Sequence, residues 1–235
     1  MNVCVIPARG GSKRIPNKNI KDFCGKPIIA WSIETALQSG CFDQVIVSTD
    51  DEQIAKVAKT YGAEVPFLRP HQLADDYTGT VAVIQNAVQW LAENQTMPEF
   101  VCCLYATAPF VCPNDLKRGL EKIKAEKSDY VFSVASFESP IQRAIKINSQ
   151  GKVEMLYPEN INERSQDLVE AFYNAGQFYW GQAEAWSEGK RVLTGDSVPL
   201  VISRGRVQDI DTLEDWEHAE LLFNWLLDKE KINKK

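Results

Sequence analysis

Val3-Cys4-Val5-Ile6-Pro7-Ala8-Arg9-Gly10-Gly11-Ser12-Lys13-Arg14 passes from a continuous apolar run, through small residues, into a base-rich stretch. A short run that is apolar on both faces suits a strand buried on both faces, as in a parallel sheet. Similar runs recur at Val45-Ile46-Val47, at 100–104 and at 130–134. Amphipathic segments lie between them. Pro27 suits a first helical turn and Gly40 a stop, so a helix is expected over 27–40. A second is expected from about 51 to 61, ended by Gly62. A third covers 80–94, with Val81, Ile84, Val88 and Leu91 on one face. A fourth begins at Pro113 and carries Leu116, Leu120 and Ile123. This alternation predicts an α/β fold, doubly wound around a mostly parallel, Rossmann-like sheet.

The rhythm breaks after Phe137. Residues 144–147 and 153–156 flank Ser149-Gln150-Gly151 and read as a β-hairpin. A polar, irregular stretch follows over 159–170, then a strand at 177–180 and a short helix near 183–189. Residues 138–190 are therefore expected to form an insertion that departs from the parallel sheet. The core pattern resumes at 198–202 and 207–211. A last helix is expected from Leu213 to about Lys229, with Leu213, Trp216, Leu222, Phe223 and Leu226 available for packing. The tail 231–235 reads as polar and frayed. All of this fits one domain over 1–235.

The composition, 44% hydrophobic and 25% charged, is that of an ordinary globular protein. A net charge of −6 argues against a chain built to coat nucleic acid. No apolar run approaches the ~20 residues that a membrane span needs, and 3–8 is too short for a signal peptide. The expected compartment is the cytoplasm. The six cysteines include no C-x-x-C pair, and Cys4, Cys102 and Cys103 sit inside apolar runs, which favours free core thiols. With only two histidines, His71 and His218, no zinc spacing exists.

The charge is uneven. Residues 1–26 hold Arg9, Lys13, Arg14, Lys18, Lys21 and Lys26 against one acid, Asp22, on a chain that is acidic overall. The cluster follows the first strand, at the carboxyl edge where α/β folds bind ligands. Gly10-Gly11-Ser12 lets backbone N–H groups approach phosphate oxygens, and Arg and Lys neutralise them. Neither G-x-x-x-x-G-K-[ST] nor G-x-G-x-x-G is present. Five bases from Arg9 to Lys21 exceed what a monophosphate requires, so a nucleoside triphosphate is expected. Asp209-Ile210-Asp211 is the second feature. On an extended strand, residues i and i+2 share a face, and paired carboxylates suit magnesium. Asp211 or Thr212 as a helix cap is the plainer alternative. Asp50-Asp51 reads as an N-cap, and no hydrolase triad motif is present.

Residues 6–20 (IPARGGSKRIPNKNI) resemble the signature of the acylneuraminate cytidylyltransferases, which make CMP-activated nonulosonic acids. Arg69-Pro70 with Leu73-Ala74-Asp75 and 78–80 resembles the family's second motif. Tyr105-Ala106-Thr107-Ala108-Pro109 resembles its Q-P-T-S-P segment, and Asp209-Ile210-Asp211 its metal motif. Tyr105 replaces the Gln of many sialic acid enzymes. With 172–180 it makes the chain most similar to the pseudaminic acid branch.

The resemblance implies a nucleotide-diphospho-sugar transferase type of fold, CTP and a nonulosonic acid as substrates, Mg2+, and a homodimer. In the family, the inserted segment reaches across the dimer to the partner's site, which matches 138–190. It implies catalytic roles for Lys18, Arg9 and Lys13, and nucleotide contacts from Ala8, Arg9, Ser12, Lys13, Asn19, Arg69 and Thr80. Metal would sit at Asp209 and Asp211. Arg143 or Arg164 would meet the sugar carboxylate, with Tyr105 and Tyr173 as further sugar contacts. Sialic acid, legionaminic acid and KDO are the alternative sugars. A D-x-D glycosyltransferase would not need the dense basic loop, and a non-catalytic nucleotide-binding module would not need both aspartates.

Overall fold

A computed structural model describes the backbone of residues 1–233 and the side chains through Lys229. Ten strands and six helices follow in chain order: β1 (Asn2–Pro7), β2 (Asp22–Phe23), β3 (Lys26–Pro27), α1 (Ile28–Ser39), β4 (Gln44–Ser48), α2 (Glu52–Thr60), α3 (Thr80–Asn94), β5 (Phe100–Leu104), α4 (Pro113–Glu126), β6 (Tyr130–Ser136), β7 (Ile145–Ile147), β8 (Val153–Met155), β9 (Phe172–Gln182), α5 (Ala183–Ser187), β10 (Ser197–Val201) and α6 (Leu213–Asn233). The main sheet has the order β10-β6-β9-β5-β1-β4. All neighbours pair in parallel except β9, which runs antiparallel to both β5 and β6.

Alternation along β1 explains the double winding. Cys4 and Ile6 pack with Ile29 and Ile33 of α1, Ile54 and Ala58 of α2, and Leu116 and Ile123 of α4. Val3 and Val5 point the other way, onto Ile84, Val88 and Leu91 of α3 and Trp186 of α5. The expected helix limits hold at α1, where Gly40 closes the helix with φ 62°. They hold again at α3, and α4 begins at Pro113 as expected. Asp51 caps α2 by accepting the N–H groups of Gln53 and Ile54. Helix α6 extends to Asn233. Its Trp216 and Phe223 are buried, but Leu213 is exposed. Of the tail expected to fray, Lys234 and Lys235 lie outside the described residues.

The segment expected to leave the sheet at 138–190 divides in two. Its second part enters the sheet: β9 lies between β5 and β6. The stretch Phe178-Tyr179-Trp180-Gly181 is buried on both faces, and only a central place in the sheet does that. The true excursion spans 137–171, with the β7–β8 hairpin as expected. A second expectation also changes. Residues 207–211 form no strand. Ile210 instead enters a third apolar cluster with Ile15, Phe23, Ile28, Phe110, Trp216 and Phe223. The short β2–β3 hairpin, which supplies Phe23 to that cluster, carried no clear sequence signal.

Gly181 is where β9 receives bulk from α5 on one side and from β6 on the other. A Cβ there would collide with the Trp186 indole nitrogen and stand 2.7 Å from Cε1 of Tyr130. Gly181→Ala should destabilise the fold by about 1–3 kcal/mol through overpacking, measured by urea denaturation.

Candidate active site

The basic loop leaves β1 at its carboxyl end and is held from below. Ala8 N–H donates to the Ser48 carbonyl at 2.9 Å, and Gly10 N–H donates to Asp50 Oδ1 at 3.0 Å. A Cβ at Gly10 would stand 2.7 Å from Asp51 Oδ2, so the α2 cap leaves room only for glycine. Gly11 faces open space. Asn19 Nδ2 donates to the Arg9 carbonyl at 2.9 Å and ties the far end of the loop to its start. Ile15 plugs the loop into the third apolar cluster with no exposed surface.

A cleft of about 250 Å³ opens above this loop. It brings together Arg9, Ser12, Lys13, Lys18, Asn19, Arg69, Tyr105 and Asp211 from the expected set, and adds Arg14 and Thr107. Arg69 is 5% exposed and lines the wall, yet its Nε and Nη2 have no hydrogen-bond partner. Burial lowers its pKa; Asp50, with Oδ1 3.7 Å from Nη2, opposes this and Arg9 adds to it. Donors left open on a buried guanidinium call for an acceptor from the cleft. Thr80, at the start of α3, reaches the site through Tyr105, its hydroxyl 2.9 Å from the phenol oxygen. Burial raises the Tyr105 phenol pKa, so it stays a neutral donor and acceptor.

Carboxylates answer the bases in two groups. Asp76 pairs with Arg9 at 2.7 Å and with Lys13. The hydrogen bonds from Lys13 and Arg9 hold its carboxyl below the usual range. Asp211 pairs with Arg14 at 2.8 Å and with Lys18 at 3.5 Å. Asp209 is exposed and outside the cleft wall, though close enough for its charge to help raise the Tyr105 pKa. Among the described residues, no group of three or more His, Cys, Asp or Glu is placed to hold a metal by itself. One or two aspartates plus substrate oxygens are the usual donor set for magnesium, so Asp209 and Asp211 fit that ion.

The remaining expected residues are placed elsewhere. The Ala8 side chain is buried in the core. Arg143 donates to the carbonyls of Ile161 and Glu163, and Arg164 forks onto Asp167 at 2.6 and 3.1 Å. Both belong to the 137–171 excursion, and neither lines the cleft. Tyr173 lines a separate groove with Phe132, Phe172 and Leu193. The site roles of two residues went unread in the sequence. Asp50, taken as part of a cap, instead binds the loop backbone. Asp76 adjoins the quoted Leu73-Ala74-Asp75 motif, which was its only signal.

A cytidylyltransferase family model matches residues 3–149. The chain belongs to the cytidylyltransferase family. It is thus a nucleotidyltransferase. It is 48% identical to the pseudaminic acid cytidylyltransferase of Campylobacter jejuni, over 94% of this chain and 96% of that protein. It is 38% identical to the CMP-N,N'-diacetyllegionaminic acid synthase of Legionella pneumophila, over 94% and 95% respectively. A solved CMP:2-keto-3-deoxy-manno-octonic acid synthetase complexed with CTP shares the fold of this cytidylyltransferase. Its TM-score is 0.71 at 17% identity, covering 95% of this chain and 98% of that one. Among the described residues, no helix is long and apolar enough to cross a membrane, and all six cysteines are free thiols.

Asp76 competes with any anion for Arg9 and Lys13. Asp76→Asn should tighten pyrophosphate binding by roughly two- to fivefold, the scale of a surface ion pair, as read by isothermal titration; unchanged affinity would show that the pair does not compete.

Proposed function

We propose that this cytidylyltransferase transfers CMP from CTP to pseudaminic acid and releases pyrophosphate. The observation that carries the reading is the convergence of Arg9, Lys13, Lys18 and Arg69 with Asp211 around one cleft. The sugar is supported by the 48% identical relative and by Tyr105.

The anomeric hydroxyl of the sugar acid attacks the α-phosphorus. A new P–O bond forms, the bond to the bridging oxygen of pyrophosphate breaks, and the hydroxyl proton passes to solvent. Such chemistry is governed by positioning and charge stabilisation. Arg9, Ser12 and Lys13 hold the β- and γ-phosphates. Lys18 is the least exposed lysine of the loop to face the cleft, with 18% of its side chain accessible, and stabilises charge at the α-phosphate. Arg69 offers its open donors to the nucleotide. Asn19 acts first on the loop itself, holding the Arg9 carbonyl. When bound at Asp209 and Asp211, magnesium would supply charge neutralisation to the phosphates.

A homodimer completes the proposal. The excursion exposes Ile145, Ile147, Val153, Leu156, Ile161 and Val169, an apolar density that a second copy would cover. Arg143, Arg164 and Tyr173 would then serve the sugar carboxylate and ring from across the interface. The cytoplasm, where free thiols persist and CTP is present, is the proposed compartment.

Pyrophosphate release from CTP, Mg2+ and a panel of sugar acids tests the reading. Turnover with pseudaminic acid but not N-acetylneuraminic acid, legionaminic acid or KDO is expected. Preference for another member would keep the chemistry and overturn the sugar, and no release with any would overturn both. Lys18→Ala should lower the turnover rate by about 10²–10³, the usual loss for one aimed electrostatic group; near-normal turnover would remove Lys18 from the mechanism.

A further inference from the structure

Arg206 stands immediately before residues 207–211, at the end of a short 3-10 turn, Arg204–Arg206. Its guanidinium forks onto Asp115, with Nη1 2.5 Å from Oδ2 and Nη2 3.1 Å from Oδ1. Nη1 also donates to the Phe110 carbonyl at 3.3 Å. The Asp115 side chain is 2% exposed. Burial works to raise its pKa, but the hydrogen bonds from Arg206 and Cys112 outweigh this and keep it charged. The backbone of Arg206 is held as well: Gln177 Nε2 donates to its carbonyl at 2.6 Å. Gln177 lies on β9, and its own carbonyl accepts the Tyr105 N–H at 2.9 Å. Arg206 thus ties the start of α4, the loop after β5 and the central strand to the root of the segment that ends in Asp209 and Asp211.

None of these three side chains lines the cleft. A buried ion pair is weak as a device for stability alone, because desolvation offsets most of its attraction. Its fixed, forked geometry is better suited to holding one register. That need is real here, because 207–211 has no strand partners. Among the described residues Ile210 is its one buried side chain, and Asp211, whose N–H donates to Asp215 Oδ2 at 3.0 Å, must still meet Arg14 and Lys18 across the cleft.

We propose that Arg206 and Asp115, with Gln177, are positioning residues that set Asp209 and Asp211 at the height needed to serve a phosphate-bound divalent cation. The proposal rests on the functional reading above, in which those aspartates carry the metal.

Binding of Mn2+, followed by electron paramagnetic resonance with and without CTP, tests it on the full chain. The unaltered protein should bind Mn2+ more tightly with CTP. Arg206→Lys, which keeps the charge but loses the fork, should weaken CTP-dependent Mn2+ binding about tenfold, as for other partners that orient metal ligands. The metal concentration for half-maximal rate should rise by the same factor, while metal-free CTP affinity stays unchanged. Gln177→Met leaves the ion pair in place and should weaken Mn2+ in the same direction by a smaller factor, so it decides the matter if Arg206→Lys fails to fold. Unchanged Mn2+ affinity in a folded variant, or an equal loss of metal-free CTP affinity, would overturn the proposal. Absence of CTP-dependent Mn2+ binding in the unaltered protein would overturn the metal assignment itself, and this proposal with it.

Discussion

Ile15 and Ile210 pack into the same apolar cluster, and the site depends on that shared core. One sits inside the basic loop and the other between two aspartates. Each is almost fully buried, which pins the backbone on either side of it, so that Arg14 and Asp211 face the cleft while Asp209 stays exposed beside it. Phe23, Trp216 and Phe223 fill the space behind them in edge-to-face contacts with ring centroids near 5.4 Å. The main sheet supplies the platform, but this third cluster brings the bases and the acids together. A polar loop without strand pairing gains fixed geometry by burying one large side chain.

Electrostatics then organise the surface that packing has placed. Asp76 and Asp211 each engage two bases, and Asp50 takes a backbone N–H of the loop while lying near Arg69. The local excess of positive charge is thereby shared among carboxylates from three distant parts of the chain. A triphosphate brings more charge than these acids and can take over their partners. Arg69 differs from the others, since burial leaves part of its guanidinium without any acceptor from the protein.

Local order was legible in the sequence because local rules govern it. The apolar runs became β1, β4, β5 and β6, and Gly40, Asp51 and Pro113 mark the helix ends they were expected to mark. The loop from Arg9 to Lys21 could be read from charge and small residues, and the family resemblance sharpened it. The place of β9 could not, because pairing across the sheet is non-local and the strand follows a long excursion. The same holds for Arg206 and Asp115, which meet across 91 positions of chain. Asp209-Ile210-Asp211 was legible as a motif, but its conformation was set by the burial of Ile210, and no strand forms there.

In the proposed mechanism the loop after β1 grips the distal phosphates of CTP. Comparing the affinities of CTP, CDP and CMP, in the unaltered protein and in Lys13→Ala, tests it most directly. Affinity should rise with each phosphate, and Lys13→Ala should flatten the rise while leaving CMP unaffected. Equal affinity for CMP and CTP in the unaltered protein would contradict it.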